Sequence, residues 1–332
     1  MPKEARILVI RFSAMGDVAM CLPVLKAFQN KYPNQRLSIL TKEAFIPLFK
    51  DLSNVEFIGL KKGEGIISLL RKVLKLEPFD LVMDLHSSLR SAFVCSALAL
   101  KGAKTQKIDK RRAAKKKFLK TANTSLKPIT SQAQAYLEVL EYFGFKLSMN
   151  DLKPIKSAKK NLNQIRIGVA PFAAHSSKTY PEDLMKILID KICDFSSDIE
   201  ILLFGAPGVQ QDRLKAWCKK SKQLKTNAGM NLEKELALMT QLDLMISMDS
   251  ANGHMAANFG VPVITLWGST HPYAGYQPLF QPFNNSFLPD YQRYPELPSS
   301  IFGERQISGY EDAMRSINQE SLHSRIKEIL NL

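Results

Sequence analysis

The stretch Arg6–Pro23, RILVIRFSAMGDVAMCLP, decides how the chain is read. Ile7, Leu8, Val9 and Ile10 form an apolar run rich in β-branched side chains. It ends in a turn of small residues, Ser13-Ala14-Met15-Gly16, followed by Asp17 and a helical pattern from Val18. A buried strand delivering into a turn and a helix is the first half of a βαβ unit. In open α/β sheets, ligands bind outside the carboxyl ends of the strands, so Asp17 stands where chemistry is done. An acid in this position also caps helices, and the segment alone leaves both readings open. The single glycine excludes a dinucleotide fingerprint, and the absence of Gly-Lys-Ser/Thr excludes a phosphate-binding P-loop.

The alternation continues outward from this unit. Strands are predicted over Ile7–Arg11, Leu37–Thr41, Val55–Leu60 and Leu81–Leu85, with helices over Val18–Lys31, Ile66–Leu76, Leu89–Leu100 and Thr130–Phe143. Phe145–Gln164 is polar, contains Pro154 and holds no period, which marks it as a linker. A second series follows. Its strands are Ile165–Ala170, Ile199–Phe204, Leu242–Met248 and Val261–Trp267, and its helices are Glu182–Phe195, Val209–Lys219, Leu232–Gln241 and Gly253–Phe259. Tyr310–Leu332 again reads helical. Two α/β halves with mostly parallel sheets and a cleft between them are the expected architecture.

The chain has 332 residues, 45% of them hydrophobic, enough for two cores. No apolar run approaches the ~18 residues of a membrane span, and the start of the chain carries no signal-peptide pattern. Cys21, Cys95, Cys193 and Cys218 lie far apart without metal-site spacing and read as reduced thiols of a cytosolic protein. The net charge of +15 is localised: Lys101–Lys127 carries eleven Lys/Arg against one acid, Asp109. Such a patch implies an anionic partner, be it nucleic acid, membrane surface or phosphorylated substrate.

The second half holds three further turns at strand ends. In Met248–Ala257, MDSANGHMAA, the small and capping residues Asp249, Ser250, Ala251, Asn252 and Gly253 leave amides free at a helix start, a ready anion site. Ser250 adds a hydroxyl, and His254 lies one turn in. Gly168–Pro181, GVAPFAAHSSKTYP, brings Lys178 to the same rim, and Phe204–Asp212 with Met230–Leu232 completes it. These turns suit a nucleoside diphosphate. No D-x-D occurs and no metal-ligand spacing appears, so Lys178 and a helix dipole are expected to stabilise the leaving charge.

These residues, in this order, resemble the lipopolysaccharide heptosyltransferases of glycosyltransferase family 9. The S-x-M-G-D…LP opening matches Ser13, Met15, Gly16, Asp17, Leu22 and Pro23. The D-T-G-x-x-H loop matches Asp249, Ser250, Ala251 and His254, and the L-[FW]-G-x-T ending matches Leu266, Trp267, Gly268 and Thr270. Lys178 and Pro181 match K-x-W-P, and Asp84, Arg90 and Ser91 match D-x-x-G-x-x-[KR]-S. The departures are Ala251 for the usual Gly, Tyr180 for Trp, and Gln210 and Gln211, with Asp212 beyond, nearest to the Glu that many members place on the ribose. The resemblance implies the GT-B fold, α/β with two Rossmann-like domains facing a central cleft. Residues 1–150 would bind acceptor and residues 165–310 the nucleotide sugar, with a C-terminal helix in 311–332 packing back on the N-terminal domain. It further implies Asp17 as the general base. Lys178, Asp249, Ser250, Ala251, Gly253, His254, Gln210 and Met230 would be on the donor, with Met230 against the adenine. Ser13, Arg90, Arg111 and Arg112 would be on the acceptor.

The reaction so implied is inverting, metal-independent transfer of a heptose or related sugar from an ADP-sugar to a phosphorylated inner-core lipopolysaccharide. It needs no cofactor beyond the nucleotide-sugar substrate, ADP-heptose. The protein would work in the cytoplasm, peripheral on the inner membrane leaflet, with Lys101–Lys127 facing phosphates. Two alternatives stand beside it. A hydrolysing epimerase on a nucleotide sugar would need acids on both sides of the sugar, and only Asp17 is so placed. A nucleic-acid-binding protein would want stacking platforms, and the basic segment offers only Phe118, so no nucleic acid is expected.

Overall fold

The computed structural model describes residues 4–121, 126–155 and 164–332. The chain divides into two compact units. One comprises the described residues up to Arg111 together with Gln132–Lys153, and the other comprises Arg112–Ser131 and Pro154–Leu332.

The first unit is built on a five-stranded sheet: β1 (Arg6–Ile10), β2 (Arg36–Lys42), β3 (Val55–Leu60), β4 (Leu81–Asp84) and β5 (Lys104–Lys107). The order is β3-β2-β1-β4-β5 and every pairing is parallel. Helices α2 (Ile66–Leu74) and α3 (Leu89–Ala99) cover one face, sealing Leu8, Ile10, Leu40 and Val82 beneath Leu69, Val73, Val94 and Leu98. Helix α1 (Met15–Lys31) packs against α5 (Gln132–Tyr142). Here Phe28 meets Phe145 edge-on with ring centroids 4.9 Å apart.

The second unit has six parallel strands: β6 (Ile165–Ala170), β7 (Ile199–Leu203), β8 (Leu224–Thr226), β9 (Leu244–Met248), β10 (Val263–Leu266) and β11 (Ser286–Phe287). Their order is β11-β10-β9-β6-β7-β8. Helices α6 (Glu182–Cys193), α7 (Val209–Cys218), α8 (Leu232–Met239), α9 (Ala251–Asn258) and α10 (Gln319–Leu330) follow in the chain.

Three boundaries differ from the sequence reading. Helix α10 was expected on the first half. Leu322 and Ile326 lie instead in the core of the second, beside Ile189, Ile192 and Ile317. The basic helix α4 (Arg112–Lys120) groups with the second unit, because Phe118 is buried with Ala274 and Ile301 and the Ile129 amide donates to the Tyr273 carbonyl at 2.9 Å. The linker is shorter than Phe145–Gln164. Phe145 and Leu152 are core residues of the first unit, and the Ile155 amide donates to the Asn258 carbonyl of the second at 2.7 Å. Residues 156–163 of that stretch, and 122–125 of the basic segment, lie outside the described residues.

In both sheets the first strand sits centrally. β1 is flanked by β2 and β4, and β6 by β7 and β9. Within each sheet the connections therefore run one way before the reversal and the other way after it, which opens a crevice at the carboxyl ends of β1/β4 and of β6/β9.

Candidate functional site

At the β1/β4 crevice, Asp17 occupies the first turn of α1. Its Oδ2 accepts from the Ala14 amide at 3.1 Å and pairs with Arg11 Nη2 at 2.7 Å. The capping reading holds, since the carboxylate closes the helix start, and the same oxygen also carries a fixed charge partner. Among the described residues, Oδ1 takes neither contact. Arg11, 7% exposed, bridges the crevice by donating Nη1–H to the Leu85 carbonyl just beyond β4. The Tyr136 hydroxyl of α5 donates to the Asp17 carbonyl at 3.0 Å. His86 lies edge-on to Phe12, centroids 5.2 Å apart. Burial pushes its imidazole down to about 4, helped by the charges of Arg11 and Lys110, so it is neutral at physiological pH. Asp84 organises the second wall of the crevice, accepting the His86 and Ser87 amides at 3.0 and 2.7 Å.

At the β6/β9 crevice, Lys178 is 8% exposed. Its Nζ donates to the Asp249 carbonyl at 2.9 Å and contacts Asp249 Oδ2 at 3.2 Å. The same Oδ2 accepts from the Thr270 hydroxyl at 2.9 Å. An ammonium has three donors, so this pairing fixes the cation while leaving one N–H unspent among the described residues. Two glycines make the arrangement possible. A Cβ on Gly303, whose φ is +92°, would lie 2.5 Å from Lys178 Cδ, and a Cβ on Gly268 would lie 2.2 Å from the Ser177 carbonyl oxygen. The loop is further tied down by Ser177 Oγ donating to the Gly303 carbonyl at 2.6 Å and Ser269 Oγ donating to Ser177 Oγ at 2.9 Å.

Ser250 is the N-cap of α9, with extended backbone, yet its hydroxyl does not cap the helix. Among the described residues, Ser250 Oγ is buried without a hydrogen-bond partner. Hydroxyls left so are costly unless a ligand completes them. The first-turn amides of α9 at Ala251–Gly253 share this rim. Gly253 has a packing role besides, because a Cβ there would sit 2.7 Å from Ser247 Oγ on β9. His254 is buried in the helix behind.

Beyond β7, Gln210 Oε1 accepts the Ala206 amide at 2.9 Å, which fixes the side chain and leaves its amide nitrogen to donate to a ligand. Gln210 lines a cavity of about 390 Å³ with Phe172, Tyr180, Glu182, Arg213 and Trp217. Arg213 stacks over Phe172 with its guanidinium 4.8 Å from the ring centroid. Met230, 47% exposed, follows β8 beside Gly229 at φ +87°.

The expected acceptor residues are dispersed. Ser13 lies in the β1–α1 turn and Arg90 is exposed on α3. Arg111 closes the first unit through an ion pair with Glu138, whereas Arg112 begins α4 in the second. Lys115 is spent on Tyr276, donating to its hydroxyl at 2.6 Å. Most of the basic segment is therefore surface, with Arg111 and Lys115 serving as anchors. Arg11, Thr270 and Gly303 were given no role by the sequence reading, since each acts on a partner that is near only in the fold. Among the described residues, no three His, Cys, Asp or Glu side chains gather as metal ligands.

The profile of glycosyltransferase family 9 (heptosyltransferase) matches residues 67–298. The chain belongs to glycosyltransferase family 9. It is 24% identical over 306 residues to the lipopolysaccharide core heptosyltransferase OpsX of Haemophilus influenzae, covering 83% of this chain and 81% of that one. Among solved structures, a family 9 glycosyltransferase from Veillonella parvula superposes with a TM-score of 0.74 at 17% identity, covering 98% and 97% of the two chains. The E. coli heptosyltransferase WaaC with ADP gives 0.65 at 18% identity, covering 98% and 99%. This family 9 enzyme thus has the GT-B fold expected of it, with one Rossmann-like sheet in each unit.

Proposed function

We propose that this family 9 glycosyltransferase moves a heptose from ADP-heptose to a phosphorylated lipopolysaccharide inner-core acceptor, with inversion and without a metal ion. The observation that carries the reading is the buried Lys178–Asp249–Thr270 cluster beside the unsatisfied Ser250 hydroxyl at the start of α9. A rim with one spare ammonium N–H, one spare hydroxyl and free helix amides is complementary to a diphosphate. OpsX is named a lipopolysaccharide core heptosyltransferase, and WaaC was solved with ADP.

In the proposed step, the acceptor hydroxyl oxygen bonds to the anomeric carbon as the bond from that carbon to the diphosphate breaks. The hydroxyl proton passes to Asp17 Oδ1, the oxygen that Arg11 and Ala14 leave open. Negative charge develops on the leaving ADP. Lys178 and the α9 amides neutralise it in the place a divalent cation would otherwise take, and being already fixed they need not reorganise. Met230 lies against the adenine and Gln210 donates to the ribose. Ser13, Arg90, Arg111 and Arg112 serve the acceptor phosphates, Arg111 after exchanging Glu138 for them. The enzyme works at the cytoplasmic face of the inner membrane, where such an acceptor is presented.

Thermal shift with ADP, UDP, GDP and CMP, each with EDTA and with magnesium, tests the donor assignment. A ligand at 100 times its Kd adds ~2.7 kcal/mol to stability, several degrees for a domain of this size. Stabilisation by ADP in EDTA supports the reading. Selective stabilisation by UDP, or only with magnesium, replaces it.

A further inference from the structure

The surface of α3 presents a feature that neither the reaction nor the core uses. Leu89, Phe93, Ser96 and Leu100 recur at helical spacing along one face. Leu89 is 84%, Phe93 59% and Leu100 91% exposed. Lone exposed leucines are ordinary, but a stripe of large apolar side chains is not. Helix α2 covers the same sheet face and shares its buried side with α3 through Leu69, Val73, Val94 and Leu98. Its outer side adds Ile67, 64% exposed, to the same surface.

The helices that carry this stripe hold cations and no acid, and the flanking Glu64 is paired with Lys72 of α2. No acid occurs between Asp84 and Asp109, a stretch that contains all of α3 and β5, and none between Glu64 and Glu77, which contains α2. Arg71 and Lys75 are exposed on and beside α2, Arg90 on α3, and Lys101 and Lys104 just beyond it. Lys101 Nζ donates to the Leu74 carbonyl at 3.0 Å, tying the end of α3 to the end of α2. An apolar stripe ringed by cations, on helices lying flat over a sheet, fits the boundary between the headgroups and acyl chains of an anionic bilayer. Among the described residues no helix is long and apolar enough to cross a membrane, so such contact would be interfacial.

We infer that the outer face of α2 and α3 is a membrane-docking surface, seating Leu89, Phe93, Leu100 and Ile67 in an anionic lipid surface while Arg71, Lys75 and Lys104 meet its phosphates. This rests on the membrane contact proposed above and moves its centre from α4 to the outer face of α2 and α3, keeping Lys104 from the start of the basic segment. Part of that segment is spent on protein: Phe118 is buried and Lys115 holds Tyr276.

The test is co-sedimentation with vesicles of phosphatidylglycerol and phosphatidylethanolamine, or of phosphatidylcholine alone, containing no glycolipid and no nucleotide. Its failure is thereby separate from failure of the transferase reading, which is measured with soluble substrates. The full chain binds the anionic vesicles and binds phosphatidylcholine more weakly. The variant Leu89→Ser/Phe93→Ser/Leu100→Ser loses about tenfold or more in partitioning, with unchanged Tm and unchanged ADP affinity. Phe93→Trp shifts its emission to the blue on anionic vesicles and is quenched by brominated lipid, against native Trp217 and Trp267 that are both buried. Three results overturn the inference: equal binding by the triple variant, loss of binding only on charge reversal of Arg112, Lys116 and Lys117, or no binding of the full chain. A full chain that ignores vesicles but forms a dimer abolished by the triple variant assigns the face to a second copy instead.

Discussion

Lys178 and Asp249 join the carboxyl ends of β6 and β9 through two contacts, Nζ to the Asp249 carbonyl at 2.9 Å and to Oδ2 at 3.2 Å. Both side chains are about nine-tenths buried. The pair therefore fixes the β6–α6 loop and orients the Lys178 ammonium at that rim. Removing one member of a buried pair strands the other charge, which costs about 3–5 kcal/mol. Asp249→Ala is expected to destabilise by about 3 kcal/mol in urea and to raise the donor KM. Thr270→Val, which removes a single neutral donor, should cost about 1 kcal/mol. Equal losses in the two variants would deny Asp249 its special place.

A second expectation concerns Gly268. The only route for a Cβ there runs into the Ser177 carbonyl at 2.2 Å and Met314 Sδ at 2.8 Å. Backbone must shift to relieve this, and overpacking of that kind costs about 1–3 kcal/mol. The displaced segment carries Lys178, so Gly268→Ala should weaken ADP binding in calorimetry while leaving acceptor KM alone. Unchanged ADP affinity would show that the 176–178 loop does not position the donor.

Two titratable groups, buried His271 and half-buried Glu235, give stability a pH dependence at both ends. Burial pushes His271 down to about 4, so the fold favours the neutral ring; its contribution is full above about 6.5 and is lost as pH falls toward 4. That window is worth roughly 2–3 kcal/mol. Burial pushes Glu235 up to about 7, against a hydrogen bond from Asn227, so the fold favours the protonated acid. Its contribution is full below about 4.5 and is lost as pH rises through 7. Glu235→Gln should therefore raise the urea midpoint at pH 8 and leave it unchanged at pH 4. His271→Asn, which retains an acceptor for the Tyr273 amide, should flatten the acid limb. A Glu235→Gln variant less stable at pH 8 would contradict the assignment.

The βα turns announced themselves in the sequence because each combines an apolar run, small residues and a capping or charged side chain within about ten positions. Asp17, Lys178, Asp249 and Ser250 were legible for that reason. The strands that escaped, β5, β8 and β11, all lie at sheet edges. Lys104–Lys107 is KTQK and Leu224–Thr226 is LKT, so neither carries an apolar period; they are strands because β4 and β7 offer an open edge. Helix α4 was read as charge alone. Its one buried side chain, Phe118, meets Ala274 and Ile301, which lie more than 150 positions away. Arg11 was read as the last residue of a strand, and nothing local signals that it reaches Leu85 and Asp17 together.

The central claim is that Asp17 takes the acceptor proton while the second unit holds the donor without it. The most direct measurement is single-turnover transfer from ADP-heptose in EDTA by the full chain and by Asp17→Asn, paired with ADP titration of both. General-base catalysis contributes about 10²–10⁴-fold. The account predicts a loss of that size in the transfer rate, with ADP affinity unchanged within about twofold and the fold intact. A near-normal rate in Asp17→Asn would contradict it, and the base would have to be sought elsewhere.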